Sequence, residues 1–364
     1  CNMKINRTDL PGRARELAAA IQKRYPKADE YPYRSWSYPQ GYLLMGFIHL
    51  WEKTGDELYY QYVLAYCLDH VEEDGSVRGF TGCSMDDMMT GAVLVWMYEH
   101  TGEKRFETAC RKIRETYRDY PRTREGGFLH NRTEFPGEMW VDGVFMGQMF
   151  LCRYGAVFGE TECFDEAVLQ LELIYRYCHV HDGLLVHAYS EDCLAPWAGP
   201  EGRSGCVWSE GLGWYALILT EVLDLLPAGY EGKRMVENQL NQLLAGLEKY
   251  QNRENGLWRQ VVDRTDDVDN WCDTSGSAMF LYTWKWAADK GIVPVATAGA
   301  VLRKGYEGLL ARIVPGEDGL PDVHTACQGL CVQKCYEDYI HYPKTVNAQE
   351  AVCGCLWALA AAIG

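Results

Sequence analysis

Apolar residues along most of the chain recur every three or four positions, which is the spacing of amphipathic helices. The helix-ending segment 50–56, Leu-Trp-Glu-Lys-Thr-Gly-Asp, returns in similar form at 97–103, and a weaker copy lies at 158–160. In each copy a glycine supplies a left-handed stop, and an aromatic residue a few positions later begins the next apolar stripe. These copies predict short turns between consecutive helices.

A second series of turns alternates with the first. Turn dipeptides lie at 74–75, 126–127, 182–183, 255–256 and 318–319, and each leads into a short extended stretch. The two series together give a period of about sixty residues, which divides the chain into roughly six helix pairs. The pattern therefore predicts an all-α fold, a single (α/α)6 barrel domain that spans residues 1–364.

The most apolar helices are expected to form the inner ring of this barrel. They lie around 41–48, 213–219, 278–288 and 349–363. An open superhelical repeat array is the alternative architecture. The longer connections, however, are irregular and rich in Trp, His and Asp, which favours one shared mouth over a uniform binding face.

Composition narrows the choice of partner and compartment. The net charge of −16 argues against binding to nucleic acid or to an anionic membrane. The 15 cysteines are scattered through apolar stretches, as small core residues are, and do not form a disulfide framework. We expect a cytoplasmic protein, a monomer or homodimer, that starts naturally at Met3, with Cys1 and Asn2 a remnant of recombinant expression.

Asp142 is the principal candidate for acid/base chemistry. It follows Trp140 and precedes an apolar helical stretch, and a neighbouring indole excludes water from a carboxyl group, which suits that group to hold a proton. The alternative is that Asp142 caps the helix. Asp86 is the second candidate, and because Asp86 and Asp87 stand at a predicted helix start, capping explains Asp86 equally well.

Aromatic and polar residues in the same connections complete a predicted sugar site. Trp and Tyr faces stack on the C–H surfaces of a pyranose, while carboxyl and imidazole groups bond its hydroxyls. The residues predicted to bind substrate are His130, Trp140, His187, Trp214, Glu210, Trp36, Tyr38 and Trp208. A place in the core is the alternative for the histidines and for Trp214, although His130 and His187 recur at equivalent places in two repeats.

A metal site is not indicated. Cys327, Cys331 and Cys335 have helical spacing, but no compact set of Cys and His shows the spacing of a zinc site. A zinc enzyme of the lanthionine-cyclase type would explain many cysteines on a helical toroid, and elemental analysis for zinc tests that alternative.

Five short motifs, in order, resemble those of the unsaturated glucuronyl and rhamnogalacturonyl hydrolases, glycoside hydrolase families 88 and 105, and more those of the latter. They are 127–130, 140–146, 187–189 with Trp197, 208–214 and 274–280. The resemblance extends from about Trp36 to the last predicted helix. It implies an (α/α)6 barrel that hydrates the 4,5-double bond which polysaccharide lyases leave on a non-reducing uronic acid.

The resemblance also implies roles for individual residues. Asp142 would protonate C4 and assist water addition at C5, and Asp86 would be the second acidic group. His130 and His187 would contact substrate, and Trp140 and Trp214 would form stacking walls. The implied substrate is an oligosaccharide that ends in an unsaturated uronic acid, and no metal or organic cofactor is expected.

Two positions depart from the family pattern. Asn131 stands where a lysine is common, and Glu210 stands where an arginine is common. A buried carboxylate that faces a uronate costs several kcal/mol unless it is neutralised. Arg132, Arg203 and Arg34 are the candidates for supplying the missing positive charge.

Other functions remain open at this point. A conventional glycosidase would use Asp142 with Asp86 or Glu210 as a carboxylate pair, and the separation of the carboxyl groups would distinguish its stereochemistry. A sugar epimerase on the same barrel is a further alternative. The changes at Asn131 and Glu210 also suit a sugar-binding barrel with impaired catalysis.

Overall fold

The computed structural model describes residues 9–364, so the expectation for Cys1 and Asn2 lies outside the described residues. The helices are α1 (Leu10–Arg24), α2 (Tyr38–Thr54), α3 (Glu57–His70), α4 (Met85–Met89), α5 (Gly91–Thr101), α6 (Lys104–Glu115), α7 (Val141–Phe158), α8 (Glu162–Cys178), α9 (Ser209–Leu225), α10 (Lys233–Tyr250), α11 (Thr274–Asp289), α12 (Val295–Ala311), α13 (Tyr336–Ile340) and α14 (Gln349–Ala361), with a 3-10 turn at Ala28–Glu30.

These helices form two concentric rings, which confirms the predicted (α/α)6 barrel. The inner ring runs α2, α4 with α5, α7, α9, α11 and α14, and each member packs against the next. The outer ring consists of α1, α3, α6, α8, α10 and α12. An outer helix buries one stripe, as α6 does with Phe106, Ala109, Cys110 and Ile113, whereas the inner helix α9 is buried on nearly all sides.

The ring closes between the two ends of the chain. Helix α14 packs against both α11 and α2, and α1 packs on the outside of α14. The sixth helix pair is therefore made from the first and last helices, and not from a consecutive hairpin. At this seam the Trp357 indole N–H donates to the carbonyl oxygen of Tyr42 at 2.9 Å.

Left-handed glycines end three of the inner helices, as the repeated segment predicts. Gly55, Gly102 and Gly159 have φ values of 64°, 68° and 73° and cap α2, α5 and α7. A positive φ is strained for residues with a Cβ atom, so glycine is the natural stop here. Each stop lets the chain reverse into the next outer helix within a few residues.

The longer connections carry small two-stranded ladders at the opposite end of the helices. The strands are β1 (Glu138–Trp140), β2 (His179–His181), β3 (Leu184–Leu185), β4 (Ala188–Ser190), β5 (Trp258–Arg259), β6 (Cys272–Asp273), β7 (Ile313–Pro315), β8 (Pro321–Val323), β9 (Ala326–Cys327) and β10 (Lys344–Thr345). The antiparallel pairs are β1–β4, β2–β3, β5–β6, β7–β8 and β9–β10. The pair β1–β4 joins two different repeats and brings Trp140 opposite Ala188.

Most of the cysteines lie in the core, as the sequence predicts, whereas Cys83, Cys193, Cys331 and Cys335 are exposed. All fourteen that lie within the described residues are free thiols, and ten of them are buried. Cysteine is among the residues most often found in cores, where it acts as a small apolar side chain. Within residues 9–364, none of the helices combines the length and the apolar character needed to cross a bilayer.

Candidate active site

The inner helices all begin at the end of the barrel where a cavity of about 450 Å³ opens. Asp86, Asp142, Glu210 and Glu350 are each the second residue of their helices α4, α7, α9 and α14. The first three line the cavity, and Glu350 lies just behind it, bonded to the lining residue Tyr38. The repeats therefore place carboxyl groups from different parts of the sequence around one site.

Asp142 is paired with an imidazole. The ladder between β1 and β4 is extended by a bond from the Val141 amide to the carbonyl oxygen of His187 at 3.1 Å, which fixes the next residue, Asp142, beside the His187 ring. The Oδ2 atom of Asp142 and the Nε2 atom of His187 lie 3.1 Å apart. Their angle falls short of regular hydrogen-bond geometry, and neither atom has another side-chain partner within the described chain.

Neither acidic candidate is a helix cap. Trp140 occupies the N-cap position of α7 without a side-chain bond, and the Asp142 carboxylate accepts no backbone N–H in the part of the chain that is described. Ser84 caps α4, where its hydroxyl accepts from the Asp86 amide at 3.2 Å. The capping alternative therefore accounts for neither carboxyl group.

Asp86 lies beside a neutral imidazole. The Nε2 atom of His130 is 3.8 Å from Asp86 Oδ1, and the His130 ring stacks on Trp140 with centroids 4.1 Å apart. Burial lowers the pKa of His130 to about 4, so the ring is uncharged at neutral pH. Although 21% of the Asp86 side chain stays exposed, burial of the rest, followed by the negative charges of Asp142 and Asp87, raises the pKa of Asp86 to about 8.

Glu210 belongs to a chain of buried oxygen atoms. Ser275 Oγ lies 2.7 Å from Glu210 Oε2 and 2.6 Å from Asp273 Oδ2. The Asp273 carboxylate also accepts from the Gly276 and Cys327 amides at 2.8 and 3.0 Å. A hydroxyl has one proton to donate, so two such short contacts require that one of the two carboxyl groups carries a proton as well.

That proton belongs to Glu210. Asp273 is satisfied as an acceptor by its amide donors, which stabilise the ionised form. Burial, followed by the charges of Glu350 and Asp273, raises the pKa of Glu210 well above its usual range. Glu210 is therefore a neutral acid that donates to Ser275. This geometry depends on the close approach of α9 and α11, because a Cβ atom on Gly276 would lie 2.6 Å from the backbone of Ser209.

Arg34 is the cationic residue among those of the described chain that line the cavity. Its guanidinium lies 5.3 Å from the ring centre of Tyr33, whose φ of 98° is strained for a residue with a side chain. Arg132 is bonded to the carbonyl oxygen of Gly82 and to Asp119, outside the cavity. Arg203 is bonded to the carbonyl oxygen of His179 and likewise lies outside the lining.

The structure brings eight of the ten predicted site residues to the cavity wall. They are Tyr38, Asp86, His130, Trp140, Asp142, Trp208, Glu210 and Trp214. His187 is fully buried behind Asp142 and does not line the cavity. Trp36 lies outside the wall as well, because its indole N–H bonds the carbonyl oxygen of Asp87 and its ring packs on Tyr66.

Sequence reasoning missed one whole segment of the wall. Residues 328–331 and Tyr342 line the cavity from the connection between α12 and α14. Tyr339 of the same connection bonds His187 at 2.8 Å. This connection matches neither repeated turn, so periodicity gave no signal for it. Glu350 could have been found, since it stands at the same helix position as Asp142 and Glu210.

Comparison with known proteins finds relatives along nearly the whole chain. The family model described as Glycosyl Hydrolase Family 88 matches residues 14–363. Protein Atu3128 of Agrobacterium fabrum is 34% identical over 169 residues, which are 46% of this chain and 72% of that protein. The unsaturated rhamnogalacturonyl hydrolase YesR of Bacillus subtilis is 24% identical over 317 residues, 85% of this chain and 84% of that protein.

Among solved structures, a glycoside hydrolase from family 105 of C. acetobutylicum superposes with a TM-score of 0.89 at 25% identity. The superposition covers 96% of this chain and 98% of that one.

Proposed function

The chain belongs to glycosyl hydrolase family 88 and is a glycoside hydrolase, and from that premise we propose that it releases a 4,5-unsaturated uronic acid from oligosaccharides produced by polysaccharide lyases. The relative from B. subtilis is named for such an activity. The observation that carries the proposal is the pairing of Asp142 with His187 at a cavity where a second carboxyl group, Asp86, holds its proton up to about pH 8.

The proposed reaction adds water across the C4–C5 double bond. Asp142 delivers a proton to C4, and a water molecule adds to C5 and returns a proton to the Asp142 carboxylate. The product is a hemiketal at C5, which opens the ring and leaves a hemiacetal at C1. That hemiacetal collapses and releases the second sugar as an alcohol, with no net change in oxidation state.

The two carboxyl groups share the proton that this reaction needs. Because the charge of Asp142 contributes to the raised pKa of Asp86, the pair retains one proton at neutral pH. His130 lies within 3.8 Å of Asp86 and is itself neutral, so it can orient the water or substrate without taking that proton. Trp140 and Trp214 line the cavity as faces for the sugar ring.

We propose Arg34 as the partner of the uronate carboxylate. Arg34 lines the cavity, where its positive charge acts on Asp86 and Asp87 and partly offsets their raised pKa values, and the same charge can attract an anionic ligand. Glu210 does not oppose an anionic substrate, since its proton is held in the contact with Ser275. Despite the departures at Asn131 and Glu210, the substrate carboxylate is therefore still recognised, with Arg34 as its cationic partner.

The test is a panel of lyase-digested pectin, glycosaminoglycan and algal polysaccharides. The wild-type protein is expected to abolish the ultraviolet absorbance of the conjugated double bond in at least one digest. Asp142→Asn is expected to lower that rate about 10²- to 10⁴-fold, the usual contribution of a general acid. Asp119→Asn, whose carboxyl group is 83% exposed and outside the cavity, is the matched control and should retain full activity.

Cleavage of a saturated glycoside without loss of that absorbance would contradict the proposal and favour a conventional two-carboxylate glycosidase. Binding of the digests without any turnover would favour an impaired sugar-binding barrel.

A further inference from the structure

Tyr339 is a buried tyrosine that touches the acid/base machinery from behind. It lies on the short helix α13, within the connection that escapes the repeat pattern, and its side chain is fully buried. Its hydroxyl oxygen accepts from the Gln333 amide at 3.2 Å and lies 2.8 Å from His187 Nδ1. It does not line the cavity, so it has no direct contact with substrate.

The Tyr339 hydroxyl has one acceptor to which it can donate a hydrogen bond. A buried phenol O–H needs an acceptor, and the Gln333 amide is itself a donor. Among the described residues the acceptor within reach is His187 Nδ1. Burial raises the pKa of Tyr339 well above its usual range, so the phenol keeps its proton.

From this geometry we infer that Tyr339 is a positioning residue that holds His187 in the neutral tautomer with its proton on Nε2. Nδ1 then accepts from Tyr339, and the protonated Nε2 atom lies beside Asp142 Oδ2, with 3.1 Å between the two heavy atoms. This inference rests on the proposed function for its catalytic consequence, while the tautomer itself can be observed without any substrate.

The tautomer decides which oxygen of Asp142 carries the catalytic proton. Oδ2 is buried and lies 3.1 Å from the protonated Nε2 atom, so we expect a proton on the carboxyl group of Asp142, which lines the cavity, to reside on Oδ1. With the opposite tautomer, a bare Nε2 would face Oδ2 and draw the carboxyl proton there, away from substrate. The buried hydroxyl of Tyr339 therefore keeps the proton of Asp142 on the oxygen that can deliver it to the sugar.

Tyr339→Phe tests the inference. Removal of one ordinary hydrogen bond is expected to lower kcat about tenfold, with little change in KM because Tyr339 does not touch substrate. Nitrogen-15 NMR of labelled histidine should show His187 in wild-type protein as a neutral ring protonated on Nε2, and should show this signal altered in Tyr339→Phe. The His187→Gln variant, which lacks the signal, assigns it.

The matched control is Tyr306→Phe. Tyr306 also buries its hydroxyl, which donates to the carbonyl oxygen of Ala358 at 2.8 Å, between helices α12 and α14. Tyr306→Phe should change neither the His187 signal nor kcat.

Two results would overturn the inference. One is a wild-type His187 that is protonated on Nδ1 or on both nitrogens. The other is a Tyr339→Phe variant whose His187 signal and kcat match those of wild type. If wild-type protein instead fails to consume any unsaturated substrate while the tautomer is as stated, the proposed function is wrong and the assignment of the tautomer stands.

Discussion

Glu210 illustrates how a carboxyl group can occupy a site for an anionic sugar. Glu210 must be protonated and therefore uncharged, because Ser275 has one hydroxyl proton and two carboxyl neighbours within 2.7 Å. Neutral Glu210 resembles a glutamine in shape and in its capacity to donate one hydrogen bond to Ser275. The position where the family commonly has an arginine has thus changed from cationic to neutral, a smaller electrostatic change than the sequence suggests.

Glu210→Gln is therefore expected to stabilise the protein increasingly as the pH rises. The folded-state pKa of Glu210 is raised, so its contribution to stability is fully present below the unfolded pKa and is lost as the pH rises toward the folded pKa. The loss is up to about 1.4 kcal/mol for each pH unit between the two pKa values. Glutamine does not titrate and escapes this loss. Urea unfolding at about pH 5 and about pH 8 measures the difference.

The control for this experiment is Glu248→Gln on the exposed face of α10, which should shift stability equally little at both pH values. A Glu210→Gln variant that is destabilised to the same extent at both pH values would mean that Glu210 is ionised in the folded protein.

Asp86 is expected to set the pH above which the activity of the enzyme falls. A group that must be protonated loses activity as the pH passes its pKa, and kcat/KM reports the free enzyme. We expect kcat/KM of wild type to fall above about pH 8, where Asp86 loses its proton. In Asp86→Asn this limb should disappear and the rate should be lower throughout. Persistence of the same limb in Asp86→Asn would assign it to another group, and Asp119→Asn should leave the profile unchanged.

At the scale of elements, the sequence predicts the helices themselves more readily than it predicts that the acidic residues occupy the same position at the start of each inner helix. The positions of α2, α9, α11 and α14 follow from apolar runs, and the glycine stops follow from repeated turns. Asp86, Asp142 and Glu210 could be picked out one by one from their aromatic neighbours, but the rule that unites them is positional. Each is the second residue of an inner helix, and the same rule identifies Glu350.

Other features of the site depend on contacts between distant segments and leave no local signal. Tyr339 meets His187 across 152 positions of sequence, and α13 has no counterpart in the repeats. Trp36 shows the opposite case: an aromatic residue just before an inner helix suggested a place in the wall, yet its indole N–H is used by the carbonyl oxygen of Asp87. A hydrogen-bond partner in the core decided its position, and the sequence pattern does not encode that partner.

For the whole molecule, the closing contact between α14 and α2 determines whether the barrel is one unit. A linear array of helix pairs would expose one side of its first and last inner helices, whereas here both are buried against each other. The buried apolar side chains of all six inner positions form one continuous cluster. Since every inner helix has two inner neighbours, loss of any one exposes both of them to water.

We therefore predict that the protein unfolds in one cooperative transition and that damage at the seam lowers the midpoint of the whole transition. Trp357 is fully buried on α14 and packs against Tyr42 and Tyr282, with ring centres 5.0 Å away in each case. Trp357→Phe removes the bond to Tyr42 and part of the indole volume, a loss of about 1–3 kcal/mol. Calorimetry should show a single peak at lower temperature with matching calorimetric and van't Hoff enthalpies. Trp286→Phe, at a half-buried position on α11, should shift the peak less. In a closed ring the loss of one contact affects every helix, which is why one peak is expected to move as a whole. Two peaks, of which Trp357→Phe moves only one, would show instead that the chain divides into separate domains.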